Sequence, residues 1–448
     1  MRSLLPATVV AAISASMAPG AYGQSAEIEE LRVAIEELRD DYEARIAELE
    51  RRLAIAEQNA SQASAIAQQA TVPAASAGFS ATNSAFNPAI GVIFQGTAWH
   101  HDVDPGDYFV PGFPFGGEAG LIPEGLALGE TEINVSGNVD DKFTAWLTAP
   151  IVIEDGEAAI EVEEAWVETT ALPAGVAARF GRFYSAIGYL NDKHLHSWDF
   201  ADQPLPYQAF LGDQYLDDGV RLRWIAPTDL FVELGAEILN GSRYPAGGSD
   251  NSGFGSHALF VKMGGDIGYD NSWLAGFSWL DTAAIARPSG SEDDPLLFDG
   301  DSSLAIANFT WKWAPNGNWR QRNFVVQSEV FWRSEDGAYT LPGEPPRAWN
   351  NDQFGWYIQA VYQPVPRWRF GGRIDGLSSD DPGPLFDGTL LAIPGDDPLR
   401  YSLMADWSNT EFSRLRLQFM RDESGLESSN QWGLQYILSI GAHGAHAF

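Results

Sequence analysis

The sequence predicts an all-β fold, a 16-stranded antiparallel transmembrane β-barrel preceded by a short α-helical coiled coil. Three observations predict it. Between Asn87 and Phe448 apolar and polar residues alternate with a period of two, in sixteen segments rich in Val, Ile, Phe, Trp and Tyr. The connections between those segments alternate as well, short turns with long Asp/Gly/Pro-rich excursions. Ahead of them, apolar residues recur every three or four positions, a helical spacing.

Composition narrows the function before any element is placed. The 448 residues carry 61 Asp plus Glu against 27 Lys plus Arg, a net charge of -34, and no cysteine. A phosphate backbone is held by clustered Lys and Arg, so nucleic acid is excluded as a partner. The missing sulfur excludes a disulfide scaffold, a thiolate zinc site, a cysteine nucleophile and a lipoprotein anchor.

The amino terminus reads as a signal peptide over 1–23: a positive start at Arg2, an apolar run from Leu4 to Met17, and Ala21-Tyr22-Gly23 before cleavage at Gln24. Residues 24–57 read as a coiled coil with a seam of Ile28, Leu31, Ile35, Leu38, Tyr42, Ile46, Leu49, Leu53 and Ala56, or else as a single amphipathic helix on the barrel wall. Residues 58–85 are an Ala/Ser/Gln linker that cannot bury enough apolar surface to order itself. The barrel then occupies 86–448.

Its segments centre near Ile93, Ile133, Ala145, Val162, Ala178, Leu222, Leu234, Phe260, Phe277, Ala307, Val326, Ile358, Phe370, Leu403, Leu417 and Tyr436. Short turns fall on one rim, as at Pro173-Ala174-Gly175 and Asn409-Thr410. Long excursions fall on the other, as at 101–124, 185–218, 241–256, 281–302, 334–352 and 375–399. A soluble sandwich does not sort its loops by parity, whereas a barrel in the outer membrane of a Gram-negative bacterium does. Both chain ends belong to the short-turn rim, which places the coil in the periplasm. The stretches Val220 to Trp224, Arg367 to Arg373 and Ser413 to Phe419 put arginines on one face and apolar residues on the other, as expected for a wet lumen inside a greasy wall. Trp99, Trp198, Trp273, Trp311, Trp313, Trp349 and Trp356 near segment ends suit interfacial girdles.

The segment from Gly181-Arg182-Phe183-Tyr184 through Gly188-Tyr189-Leu190-Asn191, followed by Pro204-Leu205-Pro206-Tyr207, together with the coil, tether and sixteen-stranded layout, resembles the plug-less Gram-negative outer-membrane porins with a periplasmic helical extension. Members of this group are labelled substrate-selective porins, zinc-regulated outer-membrane receptors or TonB-independent siderophore porins. The resemblance implies a passive channel, a homotrimer, contact with outer-membrane lipid and lipopolysaccharide, and a third outer loop that folds inward to narrow the pore. In this chain that loop begins after Tyr184, and Asp192, Lys193, His194, His196, Asp199 and Asp202 are its constriction residues. Opposite it the expected basic lumen wall is Arg179, Arg182, Arg221, Arg223, Arg367, Arg369, Arg373, Arg414 and Arg416. An acidic loop facing such a wall favours cations and orders water across the pore; the plainer reading is that the arginines neutralise luminal carboxylates.

His194 and His196, among Asp192, Asp199 and Asp202, form the best metal-like cluster, suited to transient Zn2+. Calcium or magnesium is expected only loosely, at Glu292-Asp293-Asp294, Asp380-Asp381 and Asp396-Asp397. No cofactor is required and no enzyme activity is expected, since the adjacency of His196, Ser197 and Asp199 is no evidence for a triad. The functional expectation is cation-preferring uptake of small polar solutes or metal ions. The alternatives are a TonB-independent high-affinity receptor for a metal chelate or siderophore, and a purely structural barrel.

Overall fold

A computed structural model describes residues 88–441, apart from 155–156, 248–252 and 292. The expected signal peptide, coiled coil and linker lie outside the described residues, as do residues 442–448.

The described chain forms one antiparallel sheet of eighteen strand segments. In order they are β1 (Ala89–His101), β2 (Gly125–Leu128), β3 (Thr131–Asn138), β4 (Phe143–Glu154), β5 (Glu157–Ile160) and β6 (Glu164–Thr169). Then come β7 (Val176–Tyr184), β8 (Leu216–Ile225), β9 (Phe231–Leu239), β10 (Ser256–Ile267), β11 (Asn271–Gly290) and β12 (Pro295–Trp313). The last are β13 (Asn323–Thr340), β14 (Arg347–Val365), β15 (Trp368–Ser379), β16 (Leu399–Thr410), β17 (Ser413–Asp422) and β18 (Ser429–Gly441). Segments β2 and β3 both pair with β1, and β5 and β6 both pair with β4. Each couple is therefore one interrupted stave, and the wall has sixteen staves. It closes where β1 pairs with β18, from Gly91 opposite Gly441 to His101 opposite Gln431. Closure removes every sheet edge, which a bilayer demands because lipid offers no hydrogen bonds.

Fifteen of the sixteen expected segment centres fall inside strands, and Val162 falls in the break between β5 and β6. Period-two alternation explains the two faces of the wall. Phe277, Phe309, Phe370, Leu403 and Leu417 point outward and are exposed, whereas Ser278, Thr310, Gln327, Gln359 and Gln418 point inward and are buried. Outward aromatics pack against one another, with Trp311 and Phe324 edge-to-face at a ring distance of 6.0 Å and Trp332 and Phe354 tilted at 5.8 Å. Not every tryptophan belongs to them. Trp99, Trp198 and Trp349 are buried: Trp99 packs over Gly433, Trp198 lies in the inward loop, and Trp349 joins an apolar cluster with Phe298, Tyr339 and Phe386.

Two expected excursions, 281–302 and 334–352, are largely strand. The β11–β12 hairpin turns between Gly290 and Pro295, and the β13–β14 hairpin between Thr340 and Arg347. Their Asp, Gly and Pro content suggests loop, but cross-strand support keeps them extended. Arg287 pairs with Glu335 at 2.8 Å above the apolar cluster. Outward Asp281, Asp301 and Asp336 mark where these ribbons leave the apolar band.

Candidate constriction and its wall

Residues 185–215 join β7 to β8 and fold into the barrel. Two short turns give this loop shape: a 3-10 turn over Leu195–Ser197 and a helix, α1, over Leu205–Leu211. Pro204 and Pro206 favour the helix start, and Gly212, with φ 65°, ends it in the left-handed region where glycine meets no Cβ penalty. All seven residues of α1 are buried. Tyr207 meets Phe331 at a ring distance of 5.4 Å and Tyr357 at 6.4 Å, while Phe210 meets Phe113 from the first outer connection at 6.1 Å. A packed apolar cluster therefore fills part of the lumen, contrary to a lumen lined only by polar groups. The hydrophobic effect holds the loop inside the barrel even though the wall around it is polar.

Charged contacts fix its position. Asp192 Oδ2 lies 3.2 Å from Lys262 Nζ, and Asp199 pairs with Arg369. Asp202 Oδ2 lies 2.6 Å from Arg373 Nη2 and 3.3 Å from Arg400 Nη1. Arg414 and Arg416 both donate to the Trp198 carbonyl, at 3.1 and 2.6 Å, and Arg416 also pairs with Asp406 at 2.9 Å. Burial pushes the Asp192 carboxyl up, but Lys262 and Lys193 outweigh it and hold the group at about 2. Burial likewise opposes ionisation of Asp199, and Arg369, Arg416 and Arg414 overcome it. These acids therefore touch the basic wall directly instead of facing it across open water.

Of the nine wall arginines expected from sequence, the structure places seven on the inward face: Arg179, Arg221, Arg223, Arg369, Arg373, Arg414 and Arg416. Two are corrections. Arg182 is on the outward face of β7, three residues from inward Arg179 on a period-two strand, and pairs with outward Asp218 at 2.9 Å. Arg367 lies in the exposed turn between β14 and β15 with φ 74°, not in a strand. Buried Arg287, Arg333 and Arg400 join this wall, although each lies inside or directly beside one of the loop-like excursions 281–302, 334–352 and 375–399.

His194 caps the 3-10 turn and His196 lies within it, their rings 5.6 Å apart, so they are not on an extended strand. Their partners come from the opposite wall. His196 Nδ1 is 2.7 Å from Glu132 Oε1 on β3, and His194 Nε2 is 3.0 Å from Glu164 Oε2 on β6. The loop thus spans the lumen from the β3–β6 side to the β13–β17 side. Ser197 Oγ donates to His194 O at 2.7 Å and Asp199 pairs with Arg369, so His196, Ser197 and Asp199 assemble no triad.

Beside the loop lies a cavity of about 190 Å³. Glu118, Glu130, Glu161, Glu163 and Asp213 line it, with Arg243 as the basic counterweight. Burial, then the neighbouring Glu118, pushes Asp213 up to about 8 despite a hydrogen bond to Gln203. No local pattern in the sequence marks this acidic vestibule, because its five carboxyl groups come from four separate connections.

No family model matches the chain. Among solved structures the barrel is similar to the outer membrane channel DcaP of Acinetobacter baumannii, at 14% identity and a TM-score of 0.51, covering 82% of this chain and 100% of that one. It is also similar to a loop L8 deletion mutant of OmpT, an outer membrane protein of Vibrio cholerae, at 12% identity and a TM-score of 0.50, covering 80% and 100%. OprB of Pseudomonas putida matches at 10% identity and a TM-score of 0.50, covering 79% and 94%. These likenesses place the chain in the closed-barrel fold of outer-membrane channels. With 30% identity over 352 residues, 74% of this chain and 72% of its relative, the chain belongs to the family of an uncharacterized protein of Aquifex aeolicus (strain VF5).

Proposed function

We propose that the chain is a passive outer-membrane channel of a Gram-negative bacterium, preferring small cations, with lipid and lipopolysaccharide around it. The observation that carries this reading is the inward loop, fixed across a closed barrel between two sets of charged wall residues. A structural barrel has no need of an internal loop fastened on both sides. Its direct ion pairs cancel much of the loop's own charge, so selectivity passes to the vestibule, where five carboxyl groups face one guanidinium. Low-dielectric walls strengthen that field and raise the local cation concentration. Outward Gly137, Ala145 and Ala149 on β3 and β4 leave a shallow surface that suits packing against a second copy, and we assign the assembly three copies.

The pH response tests the vestibule. Asp213 binds its proton up to about pH 8 in the folded protein, against an ordinary value of 3.8. Below about 8 it is neutral; above it a further negative charge enters the vestibule. The cation bias of the reversal potential in a KCl gradient is expected to grow as pH rises through that value, and Asp213→Asn is expected to remove the step. The same raised value means that this group's contribution to stability is fullest below the unfolded value and is lost as pH rises through the folded one. A wild-type bias that is flat across this range contradicts the assignment.

A further inference from the structure

Two acidic side chains and one imidazole converge where the inward loop meets the wall. His194 Nδ1 lies 3.4 Å from Glu132 Oε2 and 3.5 Å from Glu163 Oε2, and the three atoms all lie within 4.8 Å of one another. These separations are too long for good hydrogen bonds, and His194 Nδ1 and Glu163 Oε2 are buried with no hydrogen-bond partner. They do match the edges of a tetrahedron: metal–ligand bonds of about 2.0–2.2 Å give ligand–ligand distances of about 3.3–3.6 Å.

The other atom of each group is already committed. Glu132 Oε1 meets His196 Nδ1 at 2.7 Å, Glu163 Oε1 accepts from the Tyr184 hydroxyl, and His194 Nε2 faces Glu164 Oε2 at 3.0 Å. Glu132 Oε2 has one further contact, a long one of 3.4 Å from the Asn134 amide. A carboxylate behind an imidazole fixes its tautomer and aims the second nitrogen, the usual support of a metal-bound histidine. In the tautomer that gives Nε2–H to Glu164, His194 Nδ1 presents a lone pair to Glu163 Oε2, which has no hydrogen bond, and to Glu132 Oε2, whose one hydrogen bond is the long Asn134 contact.

The wall is broken where these ligands arise. Glu163 and Glu164 are adjacent, and in a continuous strand they would face opposite sides. The break between Ile160 and Glu164 lets both reach the same imidazole. Glu132 follows the other break, between Leu128 and Thr131. Glu132 and Glu163 side chains are 1% and 9% exposed, and two buried carboxylates beside a neutral imidazole require a cation.

We propose that His194 Nδ1, Glu132 Oε2 and Glu163 Oε2 bind a divalent transition-metal ion of the zinc class, clipping the inward loop to the barrel wall. One nitrogen and two oxygens suit zinc, cobalt or manganese better than calcium, which takes six to eight oxygens. Three protein ligands leave a position for water, and Glu163 also lines the vestibule, from which the ion would exchange. His196 then supports Glu132 and is not itself a ligand.

The full chain in detergent, stripped with a chelator and titrated with ZnCl2, tests this without any transport measurement, so its failure and that of the channel reading are separable. One ion per chain is expected. His194→Ala and Glu163→Gln should each weaken binding by about 100-fold, and Glu164→Gln by about 10-fold, the range seen when support of a metal ligand is removed. Zinc-edge absorption on the wild type, which needs no variant to fold, should show one imidazole among oxygen ligands. No zinc bound by the wild type overturns the site and leaves a protonated His194 as the cation. Unchanged affinity in His194→Ala, or two imidazoles on the metal, overturns the ligand set.

Discussion

Asp202→Ala is expected to release the far end of the inward loop and raise single-channel conductance. Asp202 Oδ2 holds Arg373 at 2.6 Å and Arg400 at 3.3 Å, both arginines are buried, and Oδ1 accepts from Gln418. Removing one partner of a buried pair leaves charge uncompensated, which costs about 3–5 kcal/mol. The lower end applies, because Arg373 keeps Asp375 at 2.8 Å and Arg400 keeps Asp422 at 3.0 Å. The loss should appear as a lower heat-modification temperature in detergent and faster proteolysis within 192–204. Unchanged melting with unchanged conductance would mean that the apolar cluster alone retains the loop.

Tyr207 carries the second large effect. Its ring is fully buried in α1, and its hydroxyl donates to Glu329 Oε2 at 2.6 Å while accepting from Leu190 N at 3.0 Å. Tyr207→Ala should destabilise the folded barrel by about 3–5 kcal/mol, as for other large aromatic deletions from packed cores. Tyr207→Phe separates packing from polarity. It keeps the contacts with Phe331 and Tyr357 but deprives a buried carboxylate of a donor, at a cost of about 1–3 kcal/mol. Glu329 retains the Tyr357 hydroxyl at 3.0 Å, which sets the expected value toward the low end. Urea unfolding in detergent measures both. Equal losses in the two variants would contradict the packing role assigned to α1.

The barrel is legible in the sequence because a bilayer imposes a period of two on every stave and sorts loops by rim. Phe277 and Ser278, or Leu417 and Gln418, show the two faces without any tertiary information. The inward loop is legible by its length and by its position as the third outer connection. Its partners are not. Asp202 meets Arg373 and Arg400 from strands far along the chain, and nothing local marks either arginine as its mate. The same limit hides the carboxylates beside His194. Glu132 and Glu163 belong to staves whose alternation breaks, and the breaks are the only local sign that these acids turn inward together. Arg182 shows the opposite case, since strand parity alone separates it from Arg179.

Conductance in a planar bilayer, with purified full-length chain under a KCl gradient, tests the central claim most directly. Discrete openings in groups of three equal steps with a cation-biased reversal potential are predicted, the steps reporting the three copies proposed for the assembly. Heat-modifiable, folded protein that inserts but leaves the bilayer no more conductive than lipid alone would contradict the channel account and favour a closed receptor or structural barrel.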